Sequence, residues 1–231
     1  MKSRHLPYEI NETSNRFHFY ETYWKICGLK LLKKYFPSPK VNSILDFGCG
    51  RGEVAPLYRS KGYDVTGTDS DQECVRISNL NGRCVLLSPT NPVDQFGPKS
   101  FDAVVCFHVL EHVPSPIETI QALSQIARKA VVLAVPNLHT VHKLFKRKIG
   151  ISDVNEGHLQ SWDHGHLQSL AERHGHLKLI QWEHDATILP VFNRFGPRVI
   201  GQSGMIALET KLFTKLFPYH CLSVLGIFQP T

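Results

Sequence analysis

Short apolar segments alternate with helical segments over the first half of the chain, and this alternation restricts the possible folds more than any other feature of the sequence. Five segments have the length and apolar content of buried strands, at residues 41–47, 64–68, 83–87, 101–107 and 130–135. Helices are predicted after the first, second and fourth of them, at residues 53–61, 71–80 and 117–128. Strands that alternate with helices in this way predict a parallel sheet with helices on both faces.

Both ends of the chain extend this pattern. A helix is predicted from about residue 19 to residue 35, because Pro37 and Pro39 end it. Beyond Pro136 we expect a helix at residues 165–174, a strand at 176–182 and a last strand at 221–228. Between those two strands we expect an amphipathic helix, whose apolar face consists of Leu208, Leu212, Phe213, Leu216 and Phe217.

No linker or change of composition divides the chain into independent halves. We therefore expect an N-terminal helical cap at residues 1–40 and one main domain at residues 41–231. In open α/β sheets, ligands bind beyond the carboxyl ends of the strands. The segments 137–165 and 187–218 are expected to form the lid and the wall of the substrate site there.

The composition is that of a chain that buries a core. Hydrophobic residues make up 42% and charged residues 20% of the 231 residues. No apolar run approaches the roughly 18 residues that cross a bilayer, and the N-terminus lacks the apolar centre of a secretory signal. The six cysteines are scattered without a CxxC pair, which fits a reducing compartment. We expect a soluble, cytoplasmic protein.

The net charge of +6, from 26 basic and 20 acidic residues, allows an anionic partner but does not require one. One tight basic cluster contains Lys143, Lys146, Arg147 and Lys148. We expect this cluster to be a solvated face, and a weak contact with an anion or a membrane surface is the alternative.

The chain has 13 histidines, and five of them fall in one stretch: His158, His164, His166, His174 and His176. Acidic or cysteine ligands that would complete a recognised metal-binding spacing are missing from this stretch. We therefore predict no metal site.

The chemistry is concentrated where the first predicted strand runs into Gly48, Cys49, Gly50, Arg51 and Gly52. Glycines let the backbone turn tightly and let a ligand approach closely, and the next helix begins with free N–H groups. Asp69 ends the second strand, where a carboxylate can accept hydrogen bonds from ribose hydroxyls. The loop alone is a weak signal, but strand, loop, helix and acid together predict a ribose-bearing cofactor.

Two acidic residues favour S-adenosylmethionine over NAD. The dinucleotide fingerprint requires Gly or Ala three residues after Gly50, where this chain has Glu53, a carboxylate that would repel a pyrophosphate. Asp46 precedes the loop and suits a cationic group such as an amino-acid ammonium. S-adenosylmethionine carries a ribose and an ammonium and has no phosphate.

Several motifs, in order, resemble those of class I S-adenosylmethionine-dependent methyltransferases: ILDFGCGRG at 44–52, DVTGTD at 64–69 and FDAVVCFHVLEHV at 101–113. The stretches 135–137 and 157–175 are similar to a subgroup acting on small molecules, glycans and lipid precursors. The resemblance covers about residues 40–182. It implies an α/β, Rossmann-like doubly wound sheet that is mostly parallel, with an antiparallel C-terminal strand and helical lid segments.

The resemblance also implies roles for individual residues. Asp46, Gly48 and Gly50 line the methionine part of the cofactor, Asp69 holds the ribose, and the reacting sulfonium is flanked by His108 and Val109. Cys49 and Ser70, which adjoin these positions, complete the candidate cofactor-binding set together with Ser88. Glu111 and His112 are expected to begin the helix beneath the site.

One departure from the family concerns the adenine. The family usually has an acidic residue after the third strand, which meets the adenine amino group, and this chain has Leu87, Ser88, Pro89 and Thr90 there. Two candidates for a contact with the adenine remain: Ser88, which can accept a hydrogen bond, and Asp94, which lies in the loop that follows.

Methyl transfer is an in-line displacement on a good leaving group, so holding the acceptor in line supplies most of the acceleration. An oxygen nucleophile also has to lose a proton, and histidine suits that role. The candidates for this base are His112, His139 and His158. The expected acceptor is a hydroxyl or an amine of a small molecule, a glycan or a lipid precursor.

Two alternatives remain open. A nucleic-acid methyltransferase would share the fold, but strand four is not followed by the Asn/Asp-Pro-Pro-aromatic motif and the chain has no Pro-Cys dipeptide, so nucleic acid is not the expected partner. A non-catalytic cofactor-binding module is the second alternative, and the missing acid after strand three is the one feature that favours it.

Overall fold

The computed structural model describes residues 16–37, 39–80, 82–144 and 155–231. Its strands are β1 (Ser43–Phe47), β2 (Asp64–Asp69), β3 (Cys84–Leu86), β4 (Phe101–Phe107), β5 (Ala127–Pro136), β6 (Leu177–Glu183) and β7 (Ser223–Pro230). They form one seven-stranded sheet in the order β3-β2-β1-β4-β5-β7-β6. Every strand predicted from the sequence is present, with ends that differ by a few residues.

The sheet is parallel from β3 to β5, and β7 runs antiparallel to both of its neighbours. The chain starts in the middle with β1, moves outward through β2 and β3, and then returns to place β4 on the other side of β1. The carboxyl ends of β1 and β4 therefore meet at the topological switch point, where open α/β sheets bind their ligands. The predicted fold class is confirmed.

The helices cover the two faces of the sheet. They are α1 (Arg16–Tyr35), α2 (Val54–Arg59), α3 (Gln72–Ser78), α4 (Pro92–Phe96), α5 (Pro116–Ile126), α6 (Val141–Leu144), α7 (His164–Ser169), α8 (Pro190–Ala207) and α9 (Phe213–Leu216). Single π-helical turns follow α7, at Leu170–His174, and α8, at Leu208–Leu212. Side-chain caps define four of the described helix starts, because Asp71, Asn91, Ser115 and Asp163 each accept a backbone N–H of the first turn.

Successive strand residues point to opposite faces and so divide the core in two. Ile44 and Val105 pack with α1 and α2 on one face, and Leu45 and Val104 pack with α5 and α7 on the other. The helix α1, from the predicted N-terminal cap, contributes buried residues such as Leu32 to the first of these clusters. Among the described helices, none is long and apolar enough to cross a membrane.

Three predictions about local structure are wrong. No helix was predicted after the third strand, but the short helix α4 follows β3, capped by Asn91 and begun by Pro92. Strand β5 starts at Ala127, so the predicted helix 117–128 extends too far. Ala127 already pairs with Phe101 of β4. Helix α8 starts at Pro190, earlier than the predicted amphipathic helix, and is interrupted at Gly201, whose φ of 70° is not helical.

Candidate active site

The glycine-rich loop at the end of β1 has the tight backbone that the sequence predicts. The amides of Gly48 and Cys49 both donate to the Thr68 carbonyl, at 2.8 and 2.9 Å. Gly48 and Gly50 have φ values of 72° and 53°, in the left-handed region that glycine adopts most easily. A Cβ on Gly48 would lie 2.3 Å from Val109 Cγ2, whereas a Cβ on Gly50 would meet nothing within 4 Å. The loop therefore packs closely on one side and presents Gly50 to open space.

Asp69 lies at the end of β2, and two backbone amides hold its carboxylate. Its Oδ2 accepts from Gly50 N at 2.8 Å, and its Oδ1 accepts from Asp71 N at 2.9 Å. A carboxylate oxygen has a second lone pair, so both oxygens can still accept a hydroxyl. The geometry suits the predicted ribose contact, which stays a prediction.

Asp46 is a buried carboxylate at the base of the same loop. It is 2% exposed, and its Oδ2 has no hydrogen-bond partner among the described residues. The pKa of Asp46 is raised to about 7, chiefly by burial; the charge of Lys25 lowers it, and the nearby charges of Asp69 and Glu53 add smaller increases. A buried acceptor without a partner is costly, and a ligand ammonium would supply the missing donor. The site therefore fits the amino-acid end of S-adenosylmethionine.

A cleft of about 220 Å³ opens between this loop and α1. Its lining includes Asp46, Gly50 and Glu53 from the loop side, Trp24 and Lys25 from α1, and the end of β4. Lys25 is 4% exposed, forms an ion pair with Glu53 and places its Nζ 4.8 Å from the centroid of the Trp24 ring.

The contribution of Trp24 and Lys25 to the cleft was missed by sequence reasoning. They lie in a predicted helix, but which of its faces would meet the loop depends on tertiary packing. A lysine next to a tryptophan, ahead of an otherwise apolar stretch, was the available signal.

The chain leaves β4 through His108, a non-glycine residue with a φ of 55°. Such a backbone costs energy, and active sites often retain it, although Lys99 and His176, outside the site, have positive φ values too. Its Nδ1 lies 3.4 Å from Glu111 Oε1, its Nε2 lies 3.4 Å from Ser223 Oγ, and its ring is 4.9 Å from the Trp24 ring. His108 and Val109 thus adjoin the cleft and the glycine loop, as the resemblance implies.

Glu111, His112 and His158 form a compact cluster next to His108. Glu111 is 1% exposed, neither of its oxygens has a hydrogen bond among the described residues, and Oε1 lies 3.8 Å from His112 Nε2. The rings of His112 and His158 are 4.8 Å apart and nearly perpendicular, and His112 Nδ1 lies 2.8 Å from the Gly157 carbonyl. One potential ligand atom from each of the three lies within 4.8 Å of the others.

This cluster has the chemistry of a base and also that of a metal ligand set, which the sequence spacing did not predict. Burial lowers the pKa of His158, the charges of His112, His108 and Lys143 lower it further, and Glu111 opposes them. His158 is therefore neutral at neutral pH. Glu111 and His112 do not begin a helix, as had been expected, because α5 begins only at Pro116, after its Ser115 cap.

The third predicted base, His139, belongs to a different group. Its Nε2 lies 3.4 Å from Asp163 Oδ2, the same oxygen that His166 Nδ1 approaches at 2.8 Å. Half of its side chain is exposed. The structure thus brings His112 and His158 together and pairs His139 with Asp163.

Three further cofactor-site predictions have simpler surroundings. Ser70 is exposed next to Asp69, and Ser88 Oγ lies 2.9 Å from Thr90 Oγ1. Cys49 Sγ lies 3.4 Å from Cys84 Sγ, and burial raises the pKa of the Cys49 thiol far above its usual range. Cys49 therefore shapes the loop as a neutral thiol and is not a nucleophile.

A parallel sheet with a glycine-rich loop after β1, and an acid at the end of β2, defines an α/β protein that binds a ribose-bearing cofactor. The family described as "Methyltransferase domain" matches residues 16–180, which is more than half of the chain. The chain belongs to this methyltransferase family.

Curated relatives match a shorter segment. The ubiquinone biosynthesis O-methyltransferase of Paracidovorax citrulli is 32% identical over 96 residues, which are 37% of this chain and 39% of that protein. The protein of the same name from Photobacterium profundum is 30% identical over 110 residues, 45% of this chain and 44% of that protein. The chain thus spans less than half the length of these relatives.

Solved structures share the fold at low sequence identity. A SAM-dependent methyltransferase from Archaeoglobus fulgidus has a TM-score of 0.57 at 16% identity, covering 94% of this chain and 100% of that one. The magnesium protoporphyrin IX methyltransferase of Synechocystis PCC 6803, with bound SAH, has a TM-score of 0.59 at 14% identity. The match covers 94% of this chain and 85% of that one. The predicted class I fold, the methyltransferase family and its cofactor S-adenosylmethionine are confirmed.

Proposed function

We propose that this chain transfers a methyl group from S-adenosylmethionine to a hydroxyl group of a small molecule. The observation that carries the proposal is Asp46, a buried carboxylate whose Oδ2 lacks a partner at the base of the glycine-rich loop. The curated relatives are named O-methyltransferases, which favours oxygen over nitrogen as the acceptor atom.

Three charged side chains around the cleft would hold the cofactor. Asp46 would accept the ammonium of its methionine part, and Lys25, which is buried at the cleft, would face the carboxylate of the same part. Asp69 would accept the ribose hydroxyls, since its carboxylate is already oriented by Gly50 and Asp71. When bound, the cofactor supplies a methyl group on a positively charged sulfur.

The acceptor proton would pass to the His112–His158 pair. His158 is the better base, because its lowered pKa leaves the imidazole neutral at neutral pH. The Glu111 carboxylate, 3.8 Å from His112, would stabilise positive charge on that ring after the transfer. His108 would form a wall of the cleft, with its ring held between Trp24 and Ser223.

The acceptor would lie between the cleft and the two segments 137–165 and 187–218, which would act as lid and substrate wall. Their described residues include the buried Trp162 and Phe213, which suit an acceptor that is partly apolar. A cytoplasmic location remains a prediction, supported by the free cysteines.

A release assay for S-adenosylhomocysteine, run with a panel of hydroxylated and amino compounds, tests the proposal. We expect turnover with a hydroxylated compound, and we expect Asp46→Asn to lower it strongly. Asp64→Asn is the matched control, because Asp64 is an exposed acid at the opposite end of β2. Turnover only with amines would contradict O-methylation, and full activity in Asp46→Asn would contradict the assigned site.

A further inference from the structure

Helix α8 presents an apolar stripe to solvent instead of to the core. Val191, Phe195 and Val199 are spaced at i, i+4 and i+8, so they lie on one side of the helix, and they are 73%, 54% and 81% exposed. Phe192 and Ile200 flank this stripe and are also exposed. An amphipathic helix normally buries such a stripe, so this one has the pattern of a docking surface.

A second group of exposed apolar side chains lies at and on either side of α9. Leu212 and Leu216 are one helical turn apart and both exposed, and the exposed Tyr219 follows them. The ring centroids of Phe192 and Phe213 are 5.2 Å apart, which places the start of α8 beside α9. We call the exposed apolar side chains of residues 191–219 the α8–α9 surface.

The exposed charges of the described side chains in residues 190–219 all have one sign. Arg198, Lys211 and Lys215 are exposed. Between residues 186 and 231 the sequence has a single acid, Glu209, which is fully buried and accepts a hydrogen bond from Tyr20. The segment that carries the α8–α9 surface is therefore apolar and basic, with no exposed acid of its own.

We propose that the α8–α9 surface docks onto an anionic lipid bilayer. Apolar side chains of a helix lying in the membrane plane enter the boundary between headgroups and acyl chains, while lysines and arginines meet the anionic headgroups. Tyr219 fits this arrangement, because tyrosine is enriched at the membrane–water interface. None of the residues of this surface lines the cofactor cleft, so docking can be measured without methyl transfer.

A second copy of the chain fits the surface less well. A two-fold symmetric interface brings the same patch of both copies together. It would place Arg198, Lys211 and Lys215 near the same basic residues of the other copy, without an exposed acid in the segment to compensate. Like charges across an interface are unfavourable, whereas an anionic membrane is complementary to all three.

Flotation of the full chain with vesicles tests the proposal. We expect the protein to float with vesicles that mix phosphatidylcholine and phosphatidylglycerol, to float much less with phosphatidylcholine alone, and to dissociate as salt is raised. The double variant Lys211→Gln/Lys215→Gln should partition about 30-fold less, because each basic residue near an anionic surface contributes about 1 kcal/mol. Val199→Glu should lower partitioning at least about tenfold, because it inserts a charge into the apolar stripe.

Controls of the same chemistry lie elsewhere on the chain. Lys33→Gln/Lys178→Gln removes two exposed lysines, and Leu80→Glu inserts a charge at a residue that is 78% exposed, all outside the surface. These controls should float like the unmodified chain, and circular dichroism checks that every variant is folded. Absence of flotation, or an equal loss in the controls, would overturn the proposal. A dimer in solution that Val199→Glu converts to a monomer would also overturn it, in favour of a second copy.

Discussion

Replacing Asp46 with asparagine tests whether the glycine-rich loop binds the cofactor or is only a structural turn. Ionised Asp46 would bind the cofactor ammonium, but burial raises its pKa to about 7, so the carboxyl is largely protonated in mildly acidic buffer. Binding should therefore weaken as the pH falls below 7. Between about pH 8 and pH 5.5 the loss should be about 30-fold, since affinity falls about tenfold for each pH unit below the pKa.

The variant should change this behaviour in two ways. Asp46→Asn should bind S-adenosylmethionine about 10- to 150-fold more weakly near pH 8, which corresponds to losing about 1.5–3 kcal/mol for a hydrogen bond to a charged group. Its affinity should also vary little between about pH 5.5 and 8, because the asparagine does not titrate. Isothermal titration calorimetry at several pH values measures both effects, and Asp64→Asn is the control.

The same variant, Asp46→Asn, should gain folding stability although it loses affinity for the cofactor. The native pKa of Asp46, about 7, lies above the model-compound value of 3.8. The native state therefore retains its proton where the unfolded state has lost it, and the wild-type protein loses stability as the pH rises through this interval. At about pH 8, Asp46→Asn should raise the free energy of unfolding by up to about 4 kcal/mol, with no gain near pH 3.5.

Two results would refute this reasoning. One is a wild-type affinity that does not depend on pH, which would mean that the ammonium binds elsewhere. The other is an Asp46→Asn variant that binds as tightly as the wild type while gaining the expected stability, which would mean that the buried carboxylate is a structural defect without a ligand.

Further predictions concern the other groups of the site. Asp69→Ala should remain folded and bind S-adenosylmethionine about 10- to 100-fold more weakly, because hydrogen bonds to a charged group are lost; unchanged calorimetric affinity would place the ribose elsewhere. Gly50→Val should abolish binding more completely, since it puts a β-branched residue at a φ of 53° and a side chain into the cleft; a variant that binds and turns over would reduce the loop to a turn. His158→Ala should lower turnover about 10²–10⁴-fold and more than His112→Ala or His139→Ala, as expected for the base. Chelators should leave turnover intact, and a loss that magnesium or zinc restores would make Glu111, His112 and His158 a metal site.

The sequence predicted what depends on local pattern and missed what depends on distant packing. The glycines of the loop and Asp69 could be found because strand, turn and acid follow one another within a short segment. Trp24 and Lys25 reach the cleft only because α1 packs against the sheet with Trp24 beside Phe107 at the end of β4, and no periodicity of α1 reveals that contact. Helix α8 was placed too late, because its prolines and glycines suggest irregular chain, although Pro190 occupies a first-turn position that favours a helix.

The histidines show the same division. His112 and His158 are far apart in sequence, and their contact depends on the segment around Gly157, which returns to the loop after β4. The five histidines between residues 158 and 176 are close in sequence, but those with described contacts have different partners: His158 contacts His112, whereas His166 binds Asp163. The sequence could therefore identify His112 and His158 as two separate candidate bases, but it could not predict that they lie side by side.

Three locally unfavourable features meet at the carboxyl ends of β1 and β4. Asp46 is a buried carboxylate with an unpartnered oxygen, Glu111 is another, and His108 has a positive φ without being glycine. Proteins keep such features mainly where binding or catalysis compensates for them. A module that only bound the cofactor would need Asp46, but it would have no use for a buried Glu111 beside the His112–His158 pair. The second cluster therefore favours a catalytic methyltransferase over a cofactor-binding module.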